Sequence, residues 1–507
     1  MQAQTPKFSL RISRFQLFNE LLVILLYILA LTILTYPLVF RISTIIPFHN
    51  PDTYTAIWQN WWLKASLMQG LDAHYTNYLF YPSGLDTTLI PQRWTTLLLW
   101  MIYEMGFGEP SAYNLTVLTE TVIRAYAMFR FILLFVPHRP SAWVGGAFFA
   151  FVPRILVAGI QQPNTGALEF IPVFMIFFVL AIRDIRQYPS RIRPSVLLMV
   201  IASFAFSANV YMNIKIGIFA VLIGGFYITW QFVAARLWRY RSFWVASTAF
   251  VGVSSVICAP ILLPTLAFGG LNDAIAQFVP GAGIDLIAYV KADLDYPFFY
   301  NYLFAARDGV QLTQRLPTAF SQIGFVSILV GLLGIVYVLR RRPRQRFWFV
   351  LLLLSFWLSL GTVLRINGES YDDLPMLMSL LQYNPLFQTL RDPFRFQILV
   401  IFTLSIFVAH GSYVIFKWLP HRISMMGLLL MVGLMFFEIS VFPIPYRSAS
   451  IPEVYDFVME RHNGPLIVMP MGRQPSKYKM YNQTYHGLPI AEGMIARMPD
   501  NAYSTFD

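Results

Sequence analysis

The chain has 507 residues, of which 57% are hydrophobic and only 12% are charged. Soluble domains average about 25% charged residues, and several stretches here approach the ~20 apolar residues that a helix needs to cross a bilayer, so an ordinary soluble protein is excluded. The net charge of +12 comes from short basic clusters between apolar runs, which indicates membrane topology and no nucleic-acid partner.

The first apolar run covers residues 19–40 and follows three basic residues, Lys7, Arg11 and Arg14. Because no small-residue cleavage site comes after it, we interpret it as a retained span and not as a removed signal peptide. Cys258, the one cysteine of the chain, excludes an intrachain disulfide framework and a CxxC metal site. The ten further runs that we interpret as spans are 113–136, 141–159, 164–182, 194–210, 211–234, 243–268, 319–339, 347–364, 394–416 and 422–442.

The basic clusters decide the topology, because cytoplasmic loops carry an excess of Lys and Arg. If the shorter run 94–107 lies in the membrane interface, every basic cluster falls on one side of the membrane. This solution gives eleven spans, a cytoplasmic N-terminus and an external C-terminus. It leaves three long external segments that carry acids and few bases, 41–112, 269–318 and 365–393. Polar segments of this length are usually functional, so we predict an external working face.

The first external segment is predicted to contain two interfacial helices. Residues 50–52, Asn-Pro-Asp, indicate a helix start, with a capping Asn, a Pro at the first helical position and an acid in the first turn. The stretch AIWQNWWLK that follows carries three tryptophans, which are enriched at membrane–water interfaces, so we expect this helix to lie flat on the outer leaflet. Gly70 is expected to end it, and residues 94–103 are expected to form the second helix.

This arrangement resembles the GT-C superfamily of membrane glycosyltransferases and a group of bacterial multi-spanning proteins related to it. In GT-C enzymes the first external loop holds two juxtamembrane helices, and an acid follows soon after the first span. The resemblance implies an all-α polytopic membrane protein of GT-C type. It rests on the combination and order of the stretches TYPLVFRI, AIWQNWWLK, LFYPSGLD, APILLPTL, FWFVLLLLSFWLSLGTVLRING, FQTLRDPFRFQILV and YNQTYHGLPIAEGMIAR.

The resemblance also implies that Asp52 is the catalytic base and that the donor is a polyprenyl-phosphate-linked sugar. A carboxylate beside a sugar hydroxyl can take its proton as the anomeric bond breaks. The helix dipole alone favours an acid in a first turn, so base and helix cap remain alternatives for Asp52. His49, three residues earlier, is a candidate substrate-binding residue of the same site, and a solvated loop histidine is its alternative.

Two arginines, Arg391 and Arg395, flank the outer end of span 10 in the stretch LRDPFRF. The guanidinium fork suits phosphate oxygens, and the leaving group of a GT-C reaction carries phosphate, so both are candidate substrate-binding residues. Their alternative role is interfacial anchoring by snorkelling. Asp392, between them, is expected to orient an arginine.

Span 2 contains Glu120 and Arg124 on one helical face. Ionisable groups within spans tend to be functional, but a pair at i,i+4 largely neutralises itself, so a structural role is at least as well supported. Arg130, further along, has no local partner and is expected to snorkel at the cytoplasmic end. Between spans 3 and 4 the chain has GIQQPNTGALE where related proteins often have histidine, which weakens a proton-transfer or metal role there.

Two acid pairs, Asp372-Asp373 and Asp293/Asp295, lie on external segments and could hold a divalent metal through oxygen ligands. Asn, Gly or His at regular spacing does not accompany them, so solvated loops are the favoured interpretation. We therefore predict no cofactor and no metal site.

Residues 443–507 form a tail that leaves the membrane domain, residues 1–442. PEVYDFVMERHNG is predicted to be a short helix and PLIVMPM a strand, which indicates a small external α/β module. Because the module is too small for a good core of its own, either it packs on the membrane domain or the chain is shortened. His486 is a further candidate substrate-binding residue in this tail.

Together these features predict an inverting glycosyltransferase of the bacterial cytoplasmic (inner) membrane. It would move a sugar from a polyprenyl-phosphate carrier to a glycan, lipid or protein acceptor on the extracytoplasmic face. The alternative is a non-enzymatic membrane protein, either a lipid or polymer transporter or a scaffold subunit with partners in the membrane. Exposure of Asp52 to a groove would favour the enzyme, and its burial against its own helix start would favour the scaffold.

Overall fold

The computed structural model describes residues 14–47, 52–88, 90, 92–267, 279, 282–290, 321–384, 387–388, 390 and 392–494. Within these ranges the chain is mostly helical, with three two-stranded antiparallel sheets. This agrees with the predicted all-α class and the predicted minor β content.

The helices are numbered here in chain order. The first eleven are α1 Arg14–Leu34, α2 Asp52–Gln69, α3 Trp94–Phe107, α4 Ser111–Leu133, α5 Arg139–Phe151, α6 Pro153–Gln161, α7 Pro163–Gly166, α8 Phe170–Gln187, α9 Arg193–Met212, α10 Ile214–Ala234 and α11 Arg241–Ala267. The next seven are α12 Phe325–Arg341, α13 Phe347–Ser359, α14 Leu377–Leu381, α15 Gln397–Trp418, α16 His421–Ile439, α17 Val454–Arg461 and α18 Arg473–His486. Short 3-10 turns lie at Leu38–Arg41, Leu237–Arg239, Leu286–Tyr289, Pro343–Gln345 and Pro393–Phe396.

Seven helical segments of the described chain are long and apolar enough to cross a membrane. An eighth is obtained if α5 and α6, which meet at a bend of 51°, are taken as one broken span. The three other predicted spans coincide with α4, α12 and α13, which do not meet the same criteria. Helix α4 is about 35 Å long but carries Glu120, Arg124 and Arg130, and α12 and α13 have 17 and 13 residues. The number of eleven spans stays a prediction.

Helix α15 forms the centre of the bundle, with 89% of its most apolar stretch buried inside the protein. It packs against α5, α12 and α13. Gly334 of α12 and Gly411 of α15 allow the closest approach, because a Cβ on either would lie 1.9 Å from a carbonyl oxygen of the opposite helix. Helices α1 and α11 lie at the periphery, where only 28% and 11% of the corresponding stretches are buried, so they present apolar side chains to lipid.

The tail packs on the segment between α1 and α4. Strand β1, Ile45–Pro47, pairs antiparallel with β6, Tyr446–Ser448, and Ile46 lies opposite Arg447. Helix α18 packs along α2. The predicted helix of the tail is α17, and the predicted strand is limited to one parallel bridge between Leu466 and Ile490. The predicted boundary at residue 442 stays a prediction.

Two acids join separate parts of the chain by accepting backbone N–H groups. Buried Asp285 accepts three backbone N–H bonds, one from Ile287 at 2.9 Å and two from Asn367 and Gly368 at 3.0 and 2.7 Å. The two latter residues lie in the turn between β4, Leu364–Ile366, and β5, Glu369–Tyr371. Glu438 of α16 similarly accepts the first N–H groups of α12, where the helix dipole favours a carboxylate.

Candidate functional site

Asp52 is the first residue of α2, as the sequence predicts. Its Oδ2 accepts a hydrogen bond of 2.6 Å from the Gln162 side-chain amide, in the turn between α6 and α7. The neighbouring Thr53 hydroxyl donates to the carbonyl of Gln161 at 3.2 Å. These two contacts fix the start of α2 against the end of α6.

Lys477 of α18 lies on the other side of the same carboxylate. Its ammonium forms an ion pair with Asp52 Oδ1. The Lys477 side chain is 12% exposed and the Asp52 side chain is 41% exposed, so a reactant can reach the carboxylate but the ammonium is largely covered. No local pattern in the tail indicated this lysine, because its partner is 425 positions away.

Three tyrosine rings pack together where α2 meets α18. Buried Tyr54 meets the rings of Tyr478 and Tyr481 at centroid distances of 5.4 and 5.5 Å. Burial raises the pKa of Tyr54, and the guanidinium of Arg447, which hydrogen-bonds to it, partly opposes this shift. Burial also raises the pKa of Tyr481, whose hydroxyl donates to the carbonyl of Ala449 at 3.0 Å. The Tyr54 and Tyr481 hydroxyls therefore stay protonated at neutral pH and act as hydrogen-bonding groups.

Amide side chains form a polar layer beneath Asp52. Asn164 of α7 donates to the Gln59 side chain at 2.8 Å, and Asn213, at the start of α10, donates to the Asn164 carbonyl at 2.7 Å. The GIQQPNTGALE stretch thus donates side-chain amide bonds to α2 and accepts one bond from the start of α10.

The second cationic group lies at the opposite end of α6. Arg154 stacks over the ring of Phe394 with its guanidinium carbon 4.6 Å from the centroid, and Arg395 lies over the same ring at 5.9 Å. Arg395 is held by Asp392 through contacts of 3.0 and 3.1 Å, which confirms that Asp392 orients an arginine. Among the described residues Arg154 has no carboxylate in ion-pair contact. The rise from Arg154 to Gln162 is about 12 Å, so the cations and Asp52 lie at the two ends of one short helix.

Of the predicted substrate-binding residues other than Arg395, the structure describes only His486, which lies away from Asp52. His49 and Arg391 lie outside the described residues. His486 ends α18, about 13 Å along the helix from Lys477. Its ring stacks on Tyr455 at 4.8 Å, its Nδ1 accepts from the Leu488 N–H at 3.1 Å, and burial lowers its pKa to about 4. These contacts give His486 a structural environment, and its predicted role in binding substrate stays a prediction.

Two of the three tryptophans of α2 are buried inside the protein. Trp58 and Trp62 are 1% and 3% exposed and form a cluster with apolar residues of the following loop and of the tail. Trp58 Nε1 donates to the Gln483 side chain at 2.7 Å. The following loop and the tail therefore cover these two rings, and the predicted position of α2 flat on the outer leaflet stays a prediction. A small cleft beneath the cluster, partly lined by Gln59 and Gln92, does not include Asp52.

The buried charges of α4 pair between helices. Glu120 forms an ion pair with Arg93, just before α3, and Arg124 forms one of 3.5 Å with Glu169. The expected self-neutralised pair of Glu120 and Arg124 is therefore corrected to two pairs that cross helix boundaries. Arg130 lies 3.6 Å from Glu20 of α1, and so it has a partner that sequence reasoning missed.

No group of three or more His, Cys, Asp or Glu side chains in the described ranges is arranged to hold a metal ion. Asp372 and Asp373 are exposed, and Asp293 and Asp295 lie outside those ranges. At Asp52, the carboxylate is approached by N–H donors from Lys477 and Gln162, which are not metal ligands.

Two solved structures from Archaeoglobus fulgidus have a similar fold. One is the archaeal oligosaccharyltransferase AglB in complex with an inhibitory peptide and a dolichol-phosphate, with a TM-score of 0.51, 13% identity and a match over 95% of this chain and 65% of that chain. The other is an oligosaccharyltransferase in the apo form, with a TM-score of 0.54 and the same identity and shares. No known family model and no curated protein sequence matches.

AglB is a GT-C superfamily membrane glycosyltransferase, so the resemblance found in the sequence is confirmed at the level of the fold. This chain spans just under two thirds of the length of both neighbours. It has the GT-C fold and is an integral membrane protein.

Proposed function

We propose that this chain is an inverting membrane glycosyltransferase that moves a sugar from a polyprenyl-phosphate-linked donor to an acceptor on the extracytoplasmic face. Asp52 is the base, and Arg395, together with Arg391, holds the phosphate of the donor. The AglB structure, which contains a dolichol-phosphate, supports a lipid-linked donor for this fold.

The observation that carries the proposal is the position of Asp52. It begins the first external helix, its side chain is 41% exposed, and groups from two other parts of the chain hold it in place. A carboxylate that served only to cap its own helix would not need these partners. The exposure argues against burial of Asp52 at its own helix start, which the scaffold alternative predicts.

A second guanidinium lies beside that of Arg395. Arg154 and Arg395 lie over the same Phe394 ring, with their guanidinium carbons 4.6 and 5.9 Å from its centroid. A guanidinium suits phosphate oxygens, so we add Arg154 to the phosphate-binding residues.

Each group then has one task. Asp52 takes the proton of the acceptor hydroxyl as that oxygen attacks the anomeric carbon, and the bond from this carbon to the phosphate oxygen breaks. The guanidinium groups of Arg154 and Arg395 stabilise the negative charge that develops on the departing polyprenyl phosphate. The configuration at the anomeric carbon inverts because there is one displacement.

The test is sugar transfer in proteoliposomes with a panel of polyprenyl-phosphate sugars. We expect Asp52→Asn to abolish measurable transfer, and Asp86→Asn to leave it unchanged. Asp86 is a matched control because it is an exposed acid of the same external segment whose side chain accepts a local N–H bond from Thr88. Equal activity of the native protein and Asp52→Asn would remove Asp52 from the mechanism.

The phosphate site has its own measurement. Arg395→Met is expected to raise KM for the donor and to lower kcat, because the same contact acts on bound donor and on leaving group. Arg365→Met, on the neighbouring strand β4, is the control. If no sugar of the panel is transferred by the native protein, the non-enzymatic alternative gains support.

The orientation belongs to the same proposal. We infer a bacterial cytoplasmic membrane location with the N-terminus inside and the tail outside, which is supported by the distribution of basic clusters. Reporter fusions at both termini test it, and a tail on the cytoplasmic side would contradict it.

A further inference from the structure

We propose that Lys477 is a positioning residue, whose ammonium fixes the Asp52 carboxylate in the orientation needed to accept a proton. The pairing itself follows from contacts and burial. Its consequence for sugar transfer rests on the proposed function.

The carboxylate is held from both sides. The Lys477 ammonium contacts Oδ1, and the Gln162 amide contacts Oδ2 at 2.6 Å. These groups come from α18 and from the turn between α6 and α7, so a rotation of the carboxylate about its axis breaks at least one contact. Fixing a reacting group in this way contributes to rate, since a misplacement of about 1 Å can cost 10²-fold.

Lys477 is directed at Asp52 and not at the interior of the tail. Among the described residues, Asp52 is the only side chain or backbone group in hydrogen-bond contact with its ammonium. Lys479, two residues on, faces the other side of α18 and contacts the carbonyl groups of Val468 and Pro470 as well as Glu492. The fold of the tail therefore depends on Lys479, whereas Lys477 joins the tail to the site.

The Lys477 ammonium is largely covered, which makes its pairing with Asp52 important. Lys477 is 12% exposed and lies beside the aromatic side chains of α18, so its charge depends on the carboxylate for compensation. Lys64 and Glu104 form a comparable ion pair elsewhere in the first external segment, with a contact of 2.6 Å and side chains that are 24% and 25% exposed. Because neither belongs to the proposed site, Lys64→Met is the control for removing a paired lysine.

The kinetic experiment compares Lys477→Met, Lys477→Arg and Lys64→Met in the proteoliposome assay. We expect Lys477→Met to lower kcat by about 10- to 100-fold with little change in KM for donor or acceptor, because Lys477 touches neither. Lys477→Arg keeps a cation and is expected to recover part of the loss, and Lys64→Met is expected to retain native kcat. A Lys477→Met protein with native kcat overturns the positioning role.

A second experiment does not depend on activity. Amine acylation is followed by mass spectrometry at Lys477 and Lys64 in the native protein and in Asp52→Asn. Acylation needs the neutral, accessible amine, so loss of the Asp52 charge is expected to raise labelling of Lys477 severalfold and to leave Lys64 unchanged. Unchanged labelling of Lys477 overturns the pairing. Increased labelling in Asp52→Asn, together with no sugar transfer by the native protein, supports the pairing and contradicts the proposed function.

Discussion

The junction between α18 and α2 can be tested at Gln483, which is fully buried and makes three hydrogen bonds. Its side-chain oxygen accepts from Trp58 Nε1 at 2.7 Å, and its nitrogen donates to the carbonyls of Tyr78 and Leu488 at 2.7 and 2.9 Å. Leucine has a similar volume but makes none of these bonds. Gln483→Leu is therefore expected to leave the Trp58 indole N–H and the Leu488 carbonyl unpaired, whereas the Tyr78 carbonyl keeps a bond of 2.9 Å from the Ile490 N–H.

The magnitude follows from the two groups that lose their partner. Each such group costs about 1–3 kcal/mol, and part of this is offset by the apolar surface that leucine buries, so we expect a loss of about 2–4 kcal/mol for the docking of α18. Local opening of the helix then becomes roughly 30- to 10³-fold more frequent.

Hydrogen–deuterium exchange of the α18 amides in nanodiscs measures this opening directly. Thr484→Ala is the control, because that hydroxyl makes only a local bond of 2.8 Å to the carbonyl of Tyr481. If α18 in Gln483→Leu exchanges no faster than in Thr484→Ala, the reasoning that these buried bonds hold the tail is refuted.

Three further predictions concern buried charges. Burial raises the pKa of Glu109 to about 7, so the folded protein retains a proton that the unfolded chain releases near pH 4.5. The free energy of unfolding should therefore fall by up to about 3 kcal/mol as pH rises from 4.5 to 7. Thermal unfolding midpoints measure this decrease, and Glu109→Gln should make it smaller. Arg93→Met leaves Glu120 without the partner that neutralises it and should cost about 3–5 kcal/mol, whereas the double variant with Glu120→Gln should regain much of the lost midpoint; additive losses would contradict the pairing. Asp285→Ala releases three backbone N–H groups and should lower the midpoint more than Asp285→Asn, which keeps one acceptor oxygen; equal midpoints for the two variants would count against this role.

Local signals in the sequence sufficed for the start of α2 and for the positions of the apolar helices. A helix start depends on residues next to one another, so Asp52 could be placed without tertiary information. The apolar runs are long, and each of them coincides with a helix or with a bent helix pair. The GT-C fold was recognisable because its short stretches occur in order along most of the chain.

Contacts between distant residues could not be predicted in this way. The sequence around Trp58 predicts an apolar environment for this ring, which either lipid or the tail could provide. Only the tertiary structure shows that the tail provides it. The i,i+4 spacing of Glu120 and Arg124 suggested a pair, yet Arg93 from before α3 and Glu169 from before α8 come closer. No sequence pattern predicted the role of Lys477, because a lysine in a tyrosine-rich helix can be either exposed to solvent or paired with an acid.

The separation of 425 positions between Asp52 and Lys477 also sets an order of events during synthesis. At roughly 5–20 residues per second, the ribosome adds Lys477 about 20 to 90 s after Asp52. The ion pair therefore cannot form until nearly the whole of this sequence has been translated. A chain released before residue 477 lacks the cation that pairs with Asp52.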